Sequence, residues 1–180
     1  MGFVAGQTTT RFGRVYTSFD PDGPGGGPSV WLLGTAGDGS SSSAVISAGI
    51  YDPAATGNAP LGAPVYFKAP GVLALAQAVD ATTPGDGAPH QAIGLLANVC
   101  GPGDAAGVIA DGRLTRADWS AVMGAAALVS GERYYLSAVQ AGQLRPVCPS
   151  TPGATVVALG QALDPQTIEV EINRIVRLEA

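Results

Sequence analysis

Apolar residues in this chain come in short runs, each closed by Gly, Pro, Asp or Ser. Long stretches without Gly or Pro, which a helix with a 3.6-residue period needs, are rare before residue 161. The pattern predicts many short strands instead. From residue 62 onward these are 64–68, 72–79, 91–99, 107–110, 126–129, 133–139, 143–147, 154–163 and 167–172. In the last, Ile168, Val170 and Ile172 alternate with Glu169 and Glu171, which predicts one buried and one solvent face. Residues 116–123 predict a single helical turn. Upstream, 11–19, 29–33 and 44–51 read as strands separated by loops at 38–43 and 52–61. The stretch 20–28 (DPDGPGGGP) cannot be regular structure, because its prolines remove donors and its glycines carry high backbone entropy. The expected fold is all-β, a small β-sandwich or barrel with an N-terminal extended arm. Residues 1–60 form the arm and its loops, and 61–180 form a compact β module.

Two stretches of the module echo each other. Gly62-Ala-Pro-Val-Tyr66, Gly71, Gln91-Ala-Ile-Gly-Leu-Leu and Val108 recur as Gly131-Glu-Arg-Tyr-Tyr135, Gly142, Val157-Ala-Leu-Gly-Gln-Ala-Leu163 and Ile168. Gly71 and Gly142 sit where a hairpin needs positive φ. Gly94 and Gly160 sit inside runs, where a glycine marks a bulge or a close backbone approach.

Composition narrows the function. The 180 residues include 26 Gly and 14 Pro, only 13% are charged, and the net charge is −5. Lys68 is the sole lysine. A clustered basic face for nucleic acid or a polybasic membrane surface is therefore not expected. The start of the chain lacks a secretory pattern, and no run is long and apolar enough for a spanning helix. His90 is the only histidine and follows Pro89 in a polar loop, so neither a hydrolytic triad nor a His-rich metal site is expected. The loops 20–28 and 36–39 lack the alternate acids of a calcium hand. Gly23–Gly27 lacks the Lys-Ser/Thr ending of a phosphate loop, so no cofactor is expected. Cys100 and Cys148 are expected to be buried free thiols. Glu169 and Glu171 mark a solvent face, and no catalytic acid pair is assigned. The chain reads as a non-enzyme.

With little core volume of its own, the chain should spend its large aromatics on contacts. The interface candidates are Phe3, Phe12, Tyr16, Phe19, Trp31, Tyr66 and Trp119.

Residues 111–172 resemble a small β module of surface proteins of tailed bacteriophages, found in head fibres, capsid decoration proteins and tail fibres. The resemblance rests on several elements: Gly112-x-Leu114, Asp118-Trp119, Leu128-x-x-Gly131 leading into Tyr134-Tyr135-Leu136-Ser137, Gly142-x-Leu144, the Pro-rich loop 146–152, and Val157–Leu163. Gln91–Leu96 and Gly107–Ala110 fit the front half of the same module. The resemblance implies a virion structural protein, assembled in the host cytoplasm. It also implies a homotrimer that binds the major capsid protein or another virion protein through its N-terminal arm. A tail-fibre or baseplate component for host attachment is the alternative it leaves open.

Overall fold

A short strand cannot satisfy its own backbone groups, so this fold is set by which runs pair. In a computed structural model, residues 8–11, 14–17, 30–31, 45–79 and 88–179 are described. Among the described residues, β1 (Thr8–Arg11) and β2 (Arg14–Thr17) pair only with each other. β3 (Val30–Trp31), β4 (Val45–Tyr51), β5 (Pro64–Ala69), β6 (Val72–Leu75), β7 (Gly94–Leu96) and β8 (Ala105–Ile109) form one sheet. β9 (Asp111–Thr115), β10 (Arg133–Leu136), β11 (Leu144–Arg145), β12 (Thr155–Ala162) and β13 (Thr167–Arg177) form another. α1 (Ser120–Met123) is the helical turn expected within 116–123.

The protein is all-β, with a closed five-strand barrel and a second sheet. The barrel runs β4-β6-β5-β7-β8 and closes because β8 returns to β4, pairing Val45 with Ile109 and Ile50 with Ala105. Among the described residues only the β4–β6 pair is parallel, and β3 adds to the first half of β4. The second sheet runs β11-β10-β12-β13-β9, antiparallel throughout.

Counted along the chain, β4–β8 and β9–β13 have the same spatial order: third, second, fourth, fifth, first. Loop bonds repeat with it. Gly62 N–H donates to Leu96 O and Gly131 N–H to Ala162 O, each at 2.8 Å. Leu96 N–H donates to Ala63 O and Ala162 N–H to Glu132 O, each at 2.9 Å. Ala59 N–H donates to Cys100 O at 2.8 Å, and Leu128 N–H to Pro165 O at 2.9 Å. The echo in the sequence is a structural repeat. Each copy starts one strand earlier than the sequence suggests, because β4 closes the first ladder and β9 ends the second.

Three expectations are corrected here. The boundary at 60/61 cuts into the barrel, since β4 is one of its staves and Ala59 bridges to Cys100. Residues 126–129 are not a strand; they form a connection in which Ala126 O accepts from Trp119 N–H at 2.9 Å. Residues 91–110 belong to the first unit, not to the front of the second. β9 escaped the sequence reading because it holds one large apolar residue. Gly112 and Leu114 nonetheless face inward, with Asp111, Arg113 and Thr115 outward.

Two junctions unite the units into one continuous core. Residues 76–78 run out of β6 into the second unit. Gly142 N–H donates to Ala76 O at 2.8 Å, Ala78 N–H to Ser137 O at 2.9 Å, and Thr155 N–H to Ala78 O at 2.7 Å. At the other junction, Trp119 packs on Gly62.

The fourth strand of each unit carries a glycine pressed against a carbonyl of the fifth: Gly94 on Ile109 and Gly160 on Glu169. A Cβ at either place would overlap backbone, which cannot swing aside. Gly160→Ala should lower the unfolding free energy by about 2 kcal/mol or more. Gly57→Ala, where a Cβ meets nothing within 4 Å, should stay within about 0.5 kcal/mol. Urea midpoints of the two variants check this.

Candidate interaction surfaces

The aromatic candidates divide. Tyr66 on β5 is 5% exposed and Trp119 is fully buried within a single chain, so neither is an interface anchor. Trp119 is the plug between the units. Its Nε1 donates to Gln166 O at 3.0 Å, and a Cβ on Gly62 would sit 3.2 Å from its ring. The Arg116 guanidinium lies 5.4 Å from the ring centroid and donates to Leu61 O. Burial lowers the Arg116 pKa, and the nearby Asp118 partly offsets this. Tyr16 lies in β2 opposite Thr9, and Trp31 lies in β3 opposite Val45. Their side chains, and the whole of Phe3, Phe12 and Phe19, lie outside the described residues.

The carboxylates mostly shape their own loops. Asp104 accepts from Gly101 N–H at 2.7 Å. Asp118 accepts from Ser120 N–H and Oγ, and Asp164 from Gln166 and Thr167 N–H. These bonds hold both Asp118 and Asp164 below the usual carboxylate range. Asp52 pairs with Lys68 Nζ at 2.8 Å, and this hydrogen bond, with a second from Ala54 N–H, lowers its pKa. Glu169 and Glu171 point to solvent, while Ile168 and Val170 are buried between them. Among the described residues, no three His, Cys, Asp or Glu side chains are grouped to hold a metal. His90 is half-buried in the turn at 88–90.

Cys100 is buried and free, as expected, and burial is the main cause that raises its thiol pKa. Cys148 is exposed; it follows β11 in a Pro-rich loop. An open groove of about 340 Å³ lies beside Tyr51, Asp52, Ala55, Asn58, Ala74 and Leu75. Its one carboxylate is already engaged by Lys68.

Exposed apolar residues remain on strands, such as Phe67 on β5 and Val176 on β13, and on loops. Val129, Val139 and Val147 are 62%, 85% and 76% exposed. Ala125, Ala126 and Ala127 are exposed beside Val129. Arg133, Gln161 and Glu169 stand on the outer face of the second sheet. Each is visible in the sequence as a polar position inside a run. That they form one row depends on strand register, which the sequence does not display. No described helix is long and apolar enough to cross a membrane.

Comparison with protein-family models, with curated proteins and with solved structures finds no match to this chain.

In native buffer, a thiol reagent should label Cys148 within minutes and Cys100 only on unfolding. Mass analysis of the labelled peptides checks this. The lowered Asp52 pKa gives a contribution that is complete above the unfolded carboxyl value, near 4, and is lost as pH falls through the folded value. The stability gap between wild type and Asp52→Asn should therefore narrow on acidification below about pH 4, measured by urea titrations at each pH.

Proposed function

We propose that the chain is a structural protein of a tailed-bacteriophage virion: a capsid decoration or head-fibre protein that binds the major capsid protein and braces or decorates the head. One observation carries this reading. The block that resembles the phage surface module, 111–172, begins at the first residue of β9 and ends within β13. The block therefore takes in β9 to β12 and the first half of β13, most of one β unit, while the front half of the resemblance lies on β7 and β8 of the other.

Other features support it. Two small β units in one chain double the surface available for weak contacts, and such contacts add by avidity when many copies sit on one lattice. The exposed Val129, Val139 and Val147 suit apolar contacts with protein neighbours. Asp104, Asp118 and Asp164 hold their own loops, a use that suits a scaffold. In this reading residues 1–44 form the capsid-contacting arm, β4–β13 form the displayed body, and three copies associate around a symmetry axis.

Cryo-electron microscopy of particles carrying the chain tests the reading. Three-copy density on the head lattice is expected. Density confined to the tail would overturn the head placement in favour of a tail-fibre or baseplate role, and particles without the chain would overturn the virion reading. Deleting residues 1–28 should leave the circular dichroism and unfolding midpoint of the body unchanged and abolish incorporation into particles.

A further inference from the structure

On the outer face of the second sheet, register lines up one exposed residue from each of four strands. Arg133 on β10 stands opposite Gln161 on β12, Gln161 opposite Glu169 on β13, and Glu169 opposite Arg113 on β9. The middle of the row is pinned, because Gln161 Nε2 donates to Gly131 O at 2.8 Å. On either side of it, the side chains of Arg133 and Glu169 make no hydrogen bond or ion pair among the described residues. They stand two strands apart, about 10 Å by strand spacing. Both border a depression of about 40 Å³ whose floor is Ala158 and Gly160. The register shift between those two floor residues is a bulge that leaves this part of the face low.

Three adjacent members of the row, a cation, an amide and an anion, are complementary to themselves about the amide, with Arg113 one strand further out. A two-fold axis along β12, over Gln161, sets Arg133 of one copy against Glu169 of the other and repeats the pair on the far side. An axis over β13 would set Glu169 against Glu169, and one over β10 would set Arg133 against Arg133. Charge therefore selects one arrangement. We propose that this face is a contact surface for a second copy of the same face, with Arg133 and Glu169 paired reciprocally across the axis.

The patch is about 15 Å by 15 Å from strand spacing and residue rise, so the contact is weak and sensitive to salt. The inference needs only this face and stands apart from the virion reading.

Sedimentation equilibrium of the full chain at low and high salt tests it. A concentration-dependent doubling of mass is expected, above the species present at the lowest concentration, and weakened severalfold by salt. Arg133→Glu or Glu169→Arg alone converts both reciprocal pairs to like charges, and should lower the association constant about tenfold or more. The double variant R133E/E169R rebuilds the same pairs with their ends exchanged, and should return to within about threefold of wild type. Three outcomes would overturn the proposal: a wild type that never doubles, single variants that associate as well as wild type, or a double variant no better than the singles.

Discussion

At Gly94 and Gly160 the carbonyl of a neighbouring strand, and at Gly49 the carbonyl of Gly71 in the β5–β6 turn, occupies the space that a side chain would need. This close backbone contact is the constraint on which the rest depends. A five-strand barrel has a small circumference, and its strands must bend and cross sharply to close. Bulges supply that bend: register shifts occur between Ser47 and Gly49 in the barrel, and between Ala158 and Gly160 in the second sheet. The core is then filled by residues such as Val65, Leu73, Leu95 and Leu96, all fully buried, with Leu95 and Leu96 on opposite faces of β7. A glycine-rich chain with few large apolar residues suits this geometry, because a small ring needs little to fill it.

The two units share one strand order but end differently. In the first, β4 and β6 meet in parallel and close the ring. In the second, the corresponding strands β9 and β11 do not pair, and the connection between β9 and β10 carries Trp119, Val122 and Met123 into the core. That connection also locks the units together, through Trp119 on Gly62 and Arg116 on Leu61. With residues 76–78 bonded to Ser137, Gly142 and Thr155, the repeat behaves as one body rather than two beads.

Much of the β layout was legible because its punctuation is local. Gly71 and Gly142 close hairpins with φ of +72° and +74°, and the alternation of Ile168, Glu169 and Val170 is a buried and solvent face. The surfaces were less legible. Tyr66 and Trp119 look like interface anchors because an aromatic in a short run reads the same whether its neighbour belongs to its own chain or to another. Cys148 looks buried for a similar reason, since its neighbours Val147 and Pro149 are apolar, yet Val147 is itself exposed.

The sequence by itself determined the fold class, the turns and the repeat, because each rests on the backbone preferences of Gly and Pro and on a two-residue period. Only the tertiary structure decided that β4 belongs to the barrel, that Trp119 is a plug, and that Arg133, Gln161 and Glu169 share a row. Those outcomes depend on hydrogen bonds between residues far apart in the chain. A strand's own residues specify which positions share a face, but not which neighbour that face will meet.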